Sequence, residues 1–165
     1  MKSIVLAGGC FWGVEAYFKR LKGVIETSVG YVDGNKRNPS YEEVCNGIAT
    51  HAEACRVTYD ERTLTLEEIL DHFFRIINPY TPNRQGHDIG FQYRSGIYYE
   101  NEGEEERIYA FLKKRFKDDL TRVATRVLKN EDYDLAEPEH QNYLDKNPNG
   151  YCHVDLDLAR PEERK

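Results

Sequence analysis

Cys10 stands between the pair Gly8-Gly9 and a helical run that opens at Phe11. A cysteine at a helix start meets free backbone N–H groups and the positive end of the helix dipole. Both favour the thiolate and lower its pKa, so the position suits a nucleophile. The preceding glycines let a ligand approach the backbone closely. The same position also fits a small buried hydrophobe at a strand–helix junction. Phe11 and Trp12 follow directly. Successive helical residues are about 100° apart, so only one of the two rings can point down the core stripe. The other must lie toward its edge, and an aromatic wall beside a thiolate suits a small apolar group.

Glu53 is the second residue of interest. Alternate residues of a strand share a face, which places Glu53 with Cys55, Val57 and Tyr59 on an apolar side. Burial there raises a carboxyl pKa and lets it hold a proton near neutral pH, the property of a general acid. If the strand began one residue later, Glu53 would instead lie in a solvated loop. His51, two residues earlier, reads as a structural histidine. The five histidines contain no HExxH and the four cysteines no CxxC. Neither a metal site nor a thioredoxin-type motif is therefore expected.

Four further positions have the right chemistry in less specific surroundings. Asp88, between Gly86 and Gly90, and Tyr93, just after them, fall in the long stretch 79–95 and could line a pocket or merely cap the loop. Tyr41 sits at the start of a short helix, as a donor or as packing. Cys152 lies in the turn-rich Asn147-Pro148-Asn149-Gly150-Tyr151-Cys152, and a mobile cysteine suits a resolving thiol that attacks an oxidised partner. Cys55 reads as inert core.

These residues must be positioned by alternating elements. A continuous apolar run over 3–7 predicts a central buried strand, followed by a helix over 11–21. A strand over 24–31 should turn Ile25, Val29 and Tyr31 to one face. Ser40 and Glu43 form a capping-box pattern for a short helix from Tyr41, and Thr65 and Glu68 another for a helix reaching Asn78. Strands are expected at 53–59, 96–100 and 122–129, helices at 102–119 and 138–145, and a loop-like tail from Lys146. Strands alternating with helices predict an α+β domain, a mixed sheet with helices packed on it. Cys10 then falls at the carboxyl end of a strand, where sites in such folds gather.

The chain of 165 residues is one domain over 1–165. The composition is 39% hydrophobic with a net charge of −6, which argues against a disordered tail and against nucleic-acid binding. The absence of a long apolar run and of a basic leader points to a cytoplasmic protein with no membrane role.

Taken together, Gly9-Cys10-Phe11-Trp12-Gly13, Gly30-Tyr31, Asn38 to Cys45, His51-Ala52-Glu53, Gln85-Gly86-His87-Asp88, Gln92-Tyr93-Arg94-Ser95 and Lys146 to Cys152 resemble, in order, the motifs of the peptide methionine sulfoxide reductase A family. The resemblance runs from about Val5 to Cys152. It implies a two-layer sandwich of ferredoxin-like plan. It also implies reduction of methionine-S-sulfoxide, free or in proteins, by thiols alone with no cofactor and no metal, and repair of oxidised proteins. By motif position it makes Cys10 the nucleophile and Glu53 the acid for the sulfoxide oxygen. Tyr41 and Tyr93 become donors to that oxygen, and Asp88 a carboxylate acting through water. Phe11 and Trp12 become the methyl pocket, and Cys152 the resolving thiol in a segment, 146–165, expected to be mobile. A Cys10–Cys152 disulfide recycled by thioredoxin or a similar dithiol would close the cycle, with Cys45 as the fallback resolving thiol. The chain departs from many relatives in reading Ala49-Thr50-His51 where they have Thr-Gly-His, and in carrying no cysteine after Cys152. Two other classes share parts of the pattern. A peroxide-reducing thiol enzyme would share Cys10 and Cys152 but has no use for Glu53, and an aromatic binding module would explain only Trp12 and the tyrosines.

Overall fold

The computed structural model describes residues 1–165. Its centre is β1 (Lys2–Ala7), whose Ile4, Val5, Leu6 and Ala7 are all fully buried, as the uninterrupted apolar run requires. Helix α1 (Phe11–Phe18) leads to β2 (Val24–Val32), then the short α2 (Tyr41–Cys45), β3 (Ala52–Tyr59), α3 (Leu66–Ile76) and, after a long connection, β6 (Gly96–Tyr99). β1 pairs antiparallel with both β3 and β6, and β2 with β3. Apart from the five-residue α2 between β2 and β3, the order β6-β1-β3-β2 with a β-α-β-β-α-β succession is the expected ferredoxin-like plan. β7 (Arg126–Lys129) adds parallel to β6, and β8 (Asp134–Leu135) antiparallel to β2, which gives a mixed six-stranded sheet.

One face of the sheet carries the main core. Ile4, Leu6, Cys55 and Val57 pack there against Val14 and Phe18 of α1, Leu66, Ile69 and Phe73 of α3, and Ile108 and Leu112 of α4 (Glu104–Phe116). The opposite face, with Val5, Ala7, Ala54 and Tyr98, is covered by Leu128 and Tyr133 and not by helices, so the architecture has two layers. Both capping boxes form: Ser40 Oγ accepts from the Glu43 amide at 3.1 Å, and Thr65 Oγ1 accepts from the Glu68 amide at 3.1 Å.

Several expected boundaries move. Ile25 is half exposed while Val29 and Tyr31 are buried, because a β-bulge between Val24 and Glu26 breaks the alternation. The helix expected over 102–119 ends at Phe116, where Lys117 turns to a positive φ and starts a 3-10 segment running to Arg122. The helix expected over 138–145 splits into a 3-10 turn at Pro138–His140 and α5 (Tyr143–Lys146), with Asn142 left-handed between them. The stretch 79–95 is not featureless. It holds a small hairpin of β4 (Arg84–Gln85) and β5 (Asp88–Ile89), followed by a 3-10 turn at Phe91–Tyr93. After α5 the chain contains two 3-10 turns and an isolated antiparallel bridge from Arg164 to Leu21, and its Val154 and Ala159 are buried in the main core. No helix is long and apolar enough to cross a membrane.

Candidate active site

β1 ends at Ala7, and the turn Gly8-Gly9 delivers Cys10 as the N-cap of α1, 6% exposed. Gly9 adopts φ +90°, a conformation only glycine takes readily, and a Cβ there would lie 2.7 Å from His153 Nε2. In the β1–β3 register Leu6 faces Cys55. Glu53, two residues earlier on β3, therefore projects just past the end of β1 beside the Cys10 turn. It lies on the strand, 1% exposed, and not in a loop.

Glu53 Oε1 accepts the Phe11 amide at 3.3 Å, and Oε2 has no hydrogen-bond partner. Burial, reinforced by the nearby Asp88 carboxyl, pushes its pKa up to about 8, against the pull of the Phe11 amide. A buried carboxyl with one oxygen free and a proton at neutral pH has the properties of a general acid. The expected lowering of the Cys10 pKa is corrected by the same surroundings. Burial pushes the Cys10 thiol up, and the Glu53 and Asp88 carboxyls add to it, with only the Trp12 amide acting in the opposite sense. Helix α1 has just eight residues, too little dipole to outweigh near-complete desolvation beside two carboxyls.

Phe11 is fully buried and Trp12 partly so, the division expected of neighbours on one helix. Phe11 stacks on Tyr41 with ring centroids 6.3 Å apart, and Trp12 stacks on Tyr143 at 3.8 Å. The Tyr41 and Tyr93 phenols are both pushed up, by burial first and then by Glu53, so both stay protonated donors beside that carboxyl. Cys45, at the end of α2, is near enough to Tyr41 and Tyr93 to add to those shifts. Asp88, on β5, has its Oδ2 buried without a hydrogen-bond partner, 3.7 Å from His153 Nδ1. His51 is fully buried, its Nε2 bonded to the Lys36 carbonyl at 2.8 Å, which is the structural role expected of it.

Cys152 Sγ donates to the Val154 carbonyl at 3.3 Å and lies against Gly13, where an added Cβ would be 3.2 Å from the sulfur. It is thus seated one helical turn from Cys10. All four cysteines are free thiols.

Sequence reasoning missed a supporting set. Glu137 accepts the Tyr31 hydroxyl at 2.7 Å and the Tyr41 amide at 2.9 Å, fixing both rings around Phe11. His140 Nδ1 accepts the Trp12 indole N–H at 3.1 Å, and its ring lies 4.5 Å from that of Tyr41. Glu137, Glu139 and His140 bring ligand atoms within 4.8 Å of one another, but both Glu137 oxygens and His140 Nδ1 already accept hydrogen bonds, which is a poor metal set. A sequence hint existed in Glu137-Pro138, a helix start beside an acid, but nothing local tied it to Trp12 over 100 residues away.

The family model for peptide methionine sulfoxide reductase matches residues 2–165. A protein named peptide methionine sulfoxide reductase MsrA from Clostridium tetani is 51% identical over 162 residues, covering 95% of this chain and 96% of its own. The protein of that name from Ureaplasma parvum is 48% identical over 164 residues, covering 99% of each chain. Among solved structures, reduced Mxr1 from Saccharomyces cerevisiae superposes with a TM-score of 0.85 at 38% identity, over 94% of this chain and 91% of that one. Mxr1 in complex with Trx2 superposes with a TM-score of 0.59 at 27% identity, over 86% and 84%. On the family match over nearly its whole length, the chain belongs to the peptide methionine sulfoxide reductase family.

Proposed function

We propose that the chain reduces methionine-S-sulfoxide, free or in proteins, and is recycled by a thioredoxin-like dithiol. The observation that carries this reading is Glu53, a buried carboxyl protonated up to about pH 8, with an unpartnered oxygen beside a buried thiol. Sulfoxide oxygen leaves sulfur only when protonated, so a neutral acid next to the nucleophile is the chemistry the reaction needs. Relatives named for this activity and the neighbour crystallised with Trx2 support the substrate and the reductant.

Glu53 donates its proton to the sulfoxide oxygen, with the Tyr41 and Tyr93 hydroxyls as further donors. The Phe11 and Trp12 rings hold the methyl group. As Glu53 gives up its proton, its carboxylate becomes the acceptor for the proton of the neighbouring Cys10 thiol. Cys10 sulfur bonds to the substrate sulfur. The hydroxyl then passes to Cys10, methionine leaves, and Cys10 is a sulfenic acid while Glu53 regains the thiol's proton. Asp88 orders the water at the pocket mouth. Cys152 displaces hydroxide from the sulfenic acid as water, forming the Cys10–Cys152 disulfide, and an external dithiol reduces it by exchange.

A thioredoxin-coupled assay on resolved S and R epimers tests the reading. Turnover confined to the S epimer and lost in Cys10→Ser is expected. Equal use of both epimers, activity in Cys10→Ser, or faster turnover with peroxide than with sulfoxide would overturn it.

A further inference from the structure

We infer that His153 is a positioning residue for the recycling step, holding Cys152 in register with the Cys10 turn. The inference rests on the proposed Cys10–Cys152 disulfide. Residues 151–153 have no regular backbone structure, so nothing in the main-chain ladder fixes the Cys152 thiol. The His153 ring does so instead. Its Nε2 donates to the Gly8 carbonyl at 2.9 Å, across 145 residues of chain. The ring packs against Gly9, where any side chain would collide with Nε2. Its side chain is 6% exposed, and the following Val154 is anchored in the core. The turn that delivers Cys10 and the segment that carries Cys152 are therefore joined by one imidazole.

The bond to Gly8 places the ring proton on Nε2, since a carbonyl can only accept. Nδ1 then carries a lone pair and no partner, facing Asp88 Oδ2 at 3.7 Å, which also has none. Burial lowers the His153 pKa and favours this neutral form. The ring thus joins the two thiol-bearing segments through Nε2.

Disulfide formation is an intramolecular reaction whose rate depends on alignment, and a displacement of about 1 Å can cost on the order of 10²-fold. Losing the tether should slow the attack of Cys152 on the sulfenic acid much more than the attack of Cys10 on substrate. The step remains balanced as before: the Cys152 thiol and the Cys10 sulfenic acid give one disulfide and one water.

The test compares two products in one experiment. Reduced full-length enzyme is mixed with one equivalent of N-acetylmethionine-S-sulfoxide without reductant, quenched at intervals, and assayed for released methionine and for the Cys10–Cys152 disulfide by peptide mapping. In His153→Ala the disulfide should lag methionine release by tenfold or more, and dimedone should trap Cys10 sulfenic acid in the interval. His153→Gln keeps an N–H donor for the Gly8 carbonyl and should recover most of the lost rate. Disulfide that keeps pace with methionine in His153→Ala overturns the inference, as does a Gln variant as slow as Ala. Absence of the Cys10–Cys152 disulfide in the unaltered enzyme would instead remove the recycling scheme itself.

Discussion

Gly13 and Cys152 touch through a missing side chain: a Cβ on Gly13 would lie 3.2 Å from the Cys152 sulfur, with Val154 at 3.1 Å and the His153 ring at 3.3 Å on either side. Gly13 belongs to the first turn of α1, where alanine is the better helix former by up to about 1 kcal/mol. Its absence there is explained by the space that the Cys152 segment occupies. Gly13→Ala should therefore leave the melting temperature within about 2 °C of the parent, since helix propensity offsets crowding. It should still slow formation of the Cys10–Cys152 disulfide several-fold by pushing that segment outward. Calorimetry and timed thiol alkylation measure the two effects, and an unchanged disulfide rate would contradict the packing argument.

Glu53 predicts a pH profile of definite sign. Its acid form is present below about pH 8, so the rate of methionine release in a single turnover should fall as pH rises through that value. Glu53→Gln should lower that rate by about 10²- to 10⁴-fold, the usual contribution of a general acid, and abolish the alkaline limb assigned to it. Stability should respond too. The folded state holds this proton from the ordinary value of 4.5 up to about 8 while the unfolded chain does not. Wild-type stability therefore falls across that window relative to Glu53→Gln. Parallel pH profiles of unfolding for the two proteins would count against the assignment.

Glu137 predicts a binding effect without a chemical one. It holds the Tyr31 hydroxyl and the Tyr41 amide but lies behind the rings that would face substrate. Glu137→Ala loses two hydrogen bonds to a carboxylate, about 3 kcal/mol or more of stability at 1.5 kcal/mol apiece. Tyr41 loosens with it, so KM should rise more than kcat falls. Glu137→Gln retains an acceptor oxygen for one partner and should show roughly half of each effect. A loss confined to kcat would place Glu137 in the chemistry instead.

The parts of the molecule that sequence could reveal are those governed by local periodicity and local chemistry. β1 was legible from its apolar run, α2 and α3 from their capping boxes, and the burial of Glu53 from strand alternation. The division between Phe11 and Trp12 followed from helical angle alone. What escaped was set by contacts between distant residues. The stretch 79–95 looked unstructured because its only ladder is the two-residue pairing of β4 and β5, and the rest is held by side chains clasping backbone. Gln85 binds both the amide and the carbonyl of Asn78, and Arg94 donates to the Phe91 and Asp33 carbonyls. The direction of the Cys10 shift also escaped, because helix position predicts a dipole but not the burial and carboxyls that outweigh it. His140 and His153 leave no local trace, since their partners lie more than 100 residues away.

The end of the chain is tied down by a network whose strength depends on pH. Arg75 of α3 grips both oxygens of Glu163 at 2.8 and 2.9 Å, and also Asp71 and the Leu158 carbonyl. His72 Nε2 lies 3.6 Å from Glu163, and its Nδ1 meets the Tyr17 hydroxyl at 2.7 Å. These hydrogen bonds from Arg75 hold the Glu163 carboxyl down at about 2. A depressed carboxyl stabilises the fold above its unfolded value near 4.5, and loses that contribution as pH falls through the folded value. Arg75→Leu should cost about 1 kcal/mol at pH 7 after allowance for solvent screening, a drop of about 2–4 °C in Tm. The gap between variant and parent should narrow steadily from pH 4.5 toward pH 2. Limited proteolysis should release the segment after Gly150 faster in the variant at pH 7. A constant difference in Tm across that acid range would mean that Arg75 acts through packing and not through the Glu163 pair.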